Sequence, residues 1–257
     1  MLETVKAIDI HTHINHGSPF DTSMAGREES YNCTLDFLLR EYDACNIACG
    51  AFSTFAGVIS DRVVCAENDY MYALSKENPR VYQWVVIEPR QDDTFLQADK
   101  MLSSEKCLGI KIHPGAHGYD IRAYGDKIFG YANEKEAAVV MHPQCLDSLA
   151  ELADKYPKMK LIIAHVYGKG HVDAALGAKH KNIYVDTSGS GSFSNNIIEY
   201  ATEKLGSEKL LFGTDTYSSA SQYGRIVYAR ISTQDKVNIL RDNALRLFPE
   251  KLAPYKV

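Results

Sequence analysis

Eight short apolar segments recur along this chain, each followed by a stretch able to form a helix. They are VKAIDI (5–10), IACGAFSTF (47–55), VYQWVVIE (81–88), CLGIKI (107–112), AAVVM (137–141), KLIIA (160–164), NIYVDT (182–187) and KLLFGT (209–214). Several are β-branched and nearly continuous, the pattern of parallel strands buried on both faces. Between them, TLDFLLREYDACN (34–46) carries Leu35, Leu38, Leu39 and Tyr42 on one helical face, and CLDSLAELADKYP (145–157) carries Leu146, Leu149, Leu152 and Ala153. NNIIEYATEKLG (195–206) ends in a glycine, and STQDKVNILRDNALRLF (232–248) opens with Ser232 as N-cap and Asp235 three residues on. This alternation predicts an α/β fold, a (β/α)8 barrel spanning 1–257 as a single domain. The rival is an open doubly wound sheet, which binds nucleotides through a glycine-rich turn after its first strand. Here that strand runs into HTHINHG instead.

The residues that close these segments carry chemistry. His11 and His13 close the first, His113 follows the fourth, His142 the fifth, His165 the sixth, and Asp215 the eighth. In a barrel all of these ends share the C-terminal rim, where barrel enzymes place their active sites. Alternation along a strand turns His11 and His13 the same way, so one ion can take both. Neutral imidazole and carboxylate suit Zn2+ first, and also Mn2+, Fe2+ or Ni2+. A single histidine at a strand end is ordinarily a hydrogen-bonded rim residue. Ligand-type residues arriving together from four strands point instead to a metal site among His11, His13, His142, His165 and Asp215. His16 reads as a loop residue or substrate contact, His117 as lying near the mouth, and His171 and His180 as surface residues of the next helix.

Composition narrows the partners. The net charge of −5 implies no basic face for nucleic acid or an anionic membrane surface. No run of eighteen apolar residues is present, and no basic-then-apolar leader pattern opens the chain, so a cytoplasmic protein acting on a small molecule is expected. A homodimer is left open. The cysteines Cys33, Cys45, Cys49, Cys65, Cys107 and Cys145 form no C-x-x-C pair and read as reduced, mostly buried thiols.

The ordered set of H-x-H, His, His and Asp resembles the amidohydrolase superfamily. AIDIHTHI, GIKIHP, LIIAH, LLFGTD and the closing ILRDNALRLF resemble its amidohydrolase-2 type of metal-dependent barrel hydrolases. The resemblance implies that His11, His13, His142 and Asp215 are ligands, with His165 a further ligand or a catalytic side chain. Lys111 resembles the lysine that some superfamily members carboxylate to bridge two metals. Its rival roles are a free ammonium for a substrate carboxylate, or a structural partner of Asp215 or Asp186. One ion is expected, two if Lys111 is carboxylated.

The activity implied is hydrolysis of an amide, cyclic amide, ester or lactone by a metal-activated water. Asp215 would serve as general base, His165 or the metal would polarise the carbonyl, and Lys111 and His113 would bind substrate. The same site in this family also supports non-oxidative decarboxylation or hydration, and a non-catalytic metal-binding relative is the reading from another class. Convergence of two or more of Arg27, Arg62, Arg90 and Arg122 on the metal would favour a carboxylate-bearing substrate, and so lactone hydrolysis or decarboxylation. The loop SGSGSFSNN after the seventh segment lines the pocket or is mobile.

Overall fold

The computed structural model describes residues 5–19, 33–189, 191 and 193–256. Its eight strands are β1 (Ala7–Ile14), β2 (Ile47–Thr54), β3 (Val81–Val86), β4 (Cys107–Ile112), β5 (Ala138–Met141), β6 (Lys160–Ile163), β7 (Ile183–Asp186) and β8 (Leu210–Leu211). They pair in parallel in chain order. The sheet closes on itself where Ile10 N–H donates to Phe212 O at 3.0 Å, and Thr214 and Asp215 N–H donate to His11 O at 3.1 and 2.8 Å. Helices cover the outside between successive strands, so the fold is the (β/α)8 barrel that the segment pattern predicts.

Two apolar layers hold it. Ile8, Ile10, Cys49, Ala51, Tyr82, Trp84, Val140, Ile162 and Leu211 fill the barrel interior, with Ala244, Phe248 and Leu252 packed against them. The opposite strand faces pack Ala7, Ile47, Phe52, Val85, Ile110, Val139 and Ile163 against helical residues such as Leu38, Tyr42, Leu149 and Ala153. That is the alternation a barrel wall requires. Where strands approach closely a side chain does not fit. A Cβ on Gly109 would lie 2.3 Å from the Ala138 carbonyl oxygen and 2.7 Å from the Trp84 ring. Gly109→Ala is therefore expected to lower stability by about 1–3 kcal/mol through overpacking. Urea unfolding followed by the fluorescence of Trp84, the chain's single tryptophan, measures it.

Three sequence expectations change in detail. β1 does not stop at residue 10 but runs through both histidines to Ile14. β8 is regular only over Leu210–Leu211, yet residues up to Asp215 continue along β1 through the bonds above. The closing helix is broken into Thr233–Val237 and Asn243–Leu247 by a wider π-turn over Asn238–Asp242. At that turn the Ile239 carbonyl accepts from Phe212 N–H at 3.0 Å, tying the helix to the end of β8. The capping box at Ser232 and Asp235 is present. No disulfide joins any of the six cysteines, all of which are among the described residues. No helix among the described residues is long and apolar enough to cross a membrane.

Candidate metal and active site

A bulge in β1 sets the direction of the two histidines. Ile8 and Ile10 face the interior, so strict alternation would send His11 outward. Between Asp9 and Thr12 the pairing with β2 shifts by one residue. Beyond the shift Thr12 pairs with Phe52 of the outer layer and His13 pairs with Ser53. His11 and His13 therefore both face into the barrel mouth. His13 Nε2 lies 3.2 Å and His11 Nε2 3.8 Å from Asp215 Oδ1. These three residues form one group with donor atoms close enough to hold an ion, and His11, His165 and Asp186 form a second.

The outward nitrogens are already engaged. His11 Nδ1 meets Asp186 Oδ2 at 2.8 Å, and His13 Nδ1 meets Ser53 Oγ at 2.9 Å. Such partners fix ring orientation and turn both Nε2 atoms toward the mouth, where that of His13 meets Asp215 and that of His11 also meets the Lys111 ammonium. Burial, reinforced by the charge of Lys111 and opposed by Asp186, pushes His11 down to about 3, so its ring is the neutral form that coordinates. Burial opposes ionisation of Asp215, but the imidazoles of His165, His13 and His11 outweigh it and hold the carboxyl well below its usual range. Two neutral imidazoles and an ionised carboxylate within reach of one point fit a divalent cation.

The other expected residues lie around this group. His165 Nδ1 is 2.9 Å from Ser188 Oγ and 3.9 Å from Asp215 Oδ2, and its ring stacks on His11 at 5.0 Å. His142 belongs to neither donor group among the described residues. Its ring stacks on His113 at 3.9 Å and lies 5.2 Å from His165. His113 Nδ1 accepts from Ala116 N–H at 3.1 Å, and burial, with His142 and Lys111, pushes it down to about 2. Lys111 is buried with Nζ 2.6 Å from His11 Nε2. Burial pushes its ammonium down to about 8, against the pull of Asp215 and Asp186.

An unfolded chain protonates Lys111 near its ordinary value of 10.5, so between pH 8 and 10.5 the unfolded state binds more protons. Lys111 therefore makes the metal-free protein more stable as pH rises through that window. The stability difference between wild type and Lys111→Met, taken by urea unfolding in chelator, is expected to grow in favour of wild type from pH 8 to 10.5. A flat difference would contradict the assignment.

The remaining histidines and the arginines lie outside the candidate group. His16 is held away from it: its Nε2 is 2.7 Å from Glu67 Oε2, and its ring stacks on Tyr70. His117 is buried, with Nε2 3.1 Å from Gly57 O and Nδ1 3.5 Å from Glu88 Oε2. His171 is not a surface residue. It shares the inward helical face of Ala174 and Ala175 and packs edge-on against Tyr167. His180 lies exposed just beyond that helix, not inside it. Arg90 is held by Glu88 and Asp61, Arg122 by Asp120, and Arg62 is exposed, so none of these bonds a candidate ligand among the described residues. Arg27 lies outside the described residues.

Sequence reasoning named Asp186 only as a partner for Lys111 and missed the layer behind the candidate ligands. Asp186 closes β7, on the same rim as the others, which was the available signal. It accepts from His165 N–H at 3.0 Å and from Ser188 N–H at 2.9 Å besides meeting His11. Burial opposes its ionisation, but His11 and His165 hold it well below the usual carboxylate range. Ser53 and Ser188 carried no signal, being residue types common in any loop.

No curated protein matches the chain in sequence. Among solved structures it is similar to 2,6-dihydroxybenzoate decarboxylase from Rhizobium, at 18% identity and TM-score 0.76 over 95% of this chain and 98% of that one. It is also similar to a dihydroxybenzoic acid decarboxylase from Polaromonas with bound manganese and 2-nitroresorcinol, at 16% identity and TM-score 0.74 over 97% and 98%. A third is a probable 2-pyrone-4,6-dicarboxylic acid hydrolase from Acinetobacter baumannii with bound citric acid, at 15% identity and TM-score 0.66 over 95% and 99%. At such identities these likenesses concern the fold. The amidohydrolase family model of type 2 matches residues 8–249, nearly the whole barrel, and the chain belongs to the amidohydrolase-2 family.

Proposed function

We propose that this chain is a metal-dependent hydrolase that opens an amide, cyclic amide, ester or lactone bond in a small carboxylate-bearing substrate. The observation that carries the reading is the position of Asp215: an ionised carboxylate with one oxygen against His13 and His11 and the other facing His165. A divalent ion, Zn2+ or Mn2+, would be held by His11, His13 and Asp215, with His165 and His142 as neighbouring imidazoles. When bound, such an ion supplies Lewis acidity, drawing the pKa of water from about 15.7 toward about 7.

The chain's own groups supply the rest. Asp215 accepts the proton of the attacking water and returns it to the departing nitrogen or oxygen as the C–N or C–O bond breaks. His165, beside the other carboxylate oxygen, donates to the substrate's carbonyl oxygen as negative charge builds there. Lys111 supplies a positive charge for a substrate carboxylate, and the stacked pair His113 and His142 offers a planar wall.

One observation favours a second reading, a decarboxylase. Two of the similar structures are decarboxylases of dihydroxybenzoic acids, and the Lys111 cation suits either kind of acid. Metal-loaded protein assayed against a panel of lactones, esters and amides by acid release, and against aromatic carboxylic acids by CO2 release, separates the two. Metal-dependent acid release without CO2 supports the hydrolase. CO2 release in its place overturns it in favour of the decarboxylase, and turnover unaffected by chelator contradicts both.

A further inference from the structure

Asp215 and Thr216 are consecutive non-glycine residues in the left-handed region, with φ of 54° and 66°. Each such residue is strained, and the conformation persists only where surrounding contacts impose it. Here the contacts come in two halves, both from β1. Before Asp215, the Thr214 hydroxyl donates to Asp9 Oδ2 at 2.6 Å, Thr214 N–H donates to Asp9 Oδ1 at 3.1 Å, and the two threonine hydroxyls of Thr214 and Thr12 meet at 3.2 Å. After it, the Thr216 hydroxyl donates to His13 O at 3.1 Å and accepts from His13 N–H at 3.2 Å. Asp9 is itself held from the helical layer by the Tyr42 hydroxyl at 2.6 Å. Gly213 allows the close approach, since a Cβ there would lie 2.9 Å from Ser188 Cβ and 3.1 Å from His11 Cβ.

We infer that Thr214 and Thr216, with Asp9 behind them, form a clamp that forces Asp215 into the barrel mouth: they are positioning residues for the metal site. The inference rests on the reading of Asp215 as a ligand. The same two segments that carry His11, His13 and Asp215 are locked to each other by threonine hydroxyls, so the distance between imidazole and carboxylate is set before any ion arrives. Positioning partners of this kind are worth about 10–100-fold in metal affinity.

The test is the affinity of metal-free protein for Zn2+ alone, by competition with a chromophoric chelator. It is run on wild type, Asp215→Asn, Thr214→Val and Thr214→Ser, with folding checked by Trp84 fluorescence in urea. Thr214→Val is expected to bind Zn2+ about 10–100-fold more weakly, and Thr214→Ser, which keeps the hydroxyl, to bind within a few-fold of wild type. A purely structural role would lower stability and leave the affinity of the folded protein unchanged, and that result overturns the clamp. If Thr214→Val does not fold, Thr216→Val against Thr216→Ser decides on the same readings. Wild-type affinity in Asp215→Asn overturns the ligand reading itself, and the clamp with it. Weakened binding in Asp215→Asn beside unchanged binding in folded Thr214→Val overturns the clamp alone.

Discussion

Asp215→Asn is expected to abolish most of the metal-dependent turnover, by about 10^3-fold, within the range general acid–base groups contribute. The substitution keeps the shape of the side chain and removes its charge. In the folded protein Asp215 is ionised because imidazoles of His165, His13 and His11 surround it and outweigh the effect of burial. An amide there neither accepts a proton from water nor matches a carboxylate as a metal ligand. The backbone bond from residue 215 N–H to His11 O and the threonine contacts on either side are untouched, so the fold should stand. Turnover on whichever substrate the panel identifies, measured beside the urea midpoint, checks both halves. A variant that turns over like wild type would remove Asp215 from the role of base.

Asp186→Ala should be the most damaging single change to stability, with a loss of about 3–5 kcal/mol. Asp186 is fully buried at the end of β7 and holds His11 Nδ1, His165 N–H, Ser188 N–H and the Ser188 hydroxyl. Removing it leaves those donors without an acceptor in a place water does not reach, and leaves Lys111 with less compensating negative charge. It also frees the His11 ring to turn, so Zn2+ affinity should fall about 10–100-fold in whatever fraction folds. Urea unfolding read by Trp84 gives the first number and chelator competition the second. A loss below about 1 kcal/mol would mean the buried network matters little to the fold.

The barrel was legible because each apolar segment had to be buried on both faces, and a helix-length stretch separated it from the next. Strand ends were harder. β1 continues past Ile10 because a bulge turns His11 and His13 inward, and no residue type in IDIHTH announces a bulge. The ligand-type residues His11, His13 and Asp215 were legible from their places at strand ends, and the structure brings those three together. His142 comes from the same rim, but its ring is stacked flat on His113. His171 was misread because charged neighbours Lys169 and Asp173 suggest an exposed helix, whereas its own position falls on the face that packs inward. Ser53, Ser188, Thr214 and Thr216 were invisible for a different reason. A hydroxyl acts here through the residue it touches across the barrel, and sequence spacing does not record that contact.

The proposed chemistry requires that His11, His13 and Asp215 hold a divalent ion. The most direct measurement is anomalous diffraction from crystals of the protein grown with Zn2+ or Mn2+. An ion is expected with the Nε2 atoms of His11 and His13 and a carboxylate oxygen of Asp215 at about 2.0–2.2 Å. An ion found only elsewhere, or a mouth that stays empty at saturating metal with Lys111 still on His11, would contradict it.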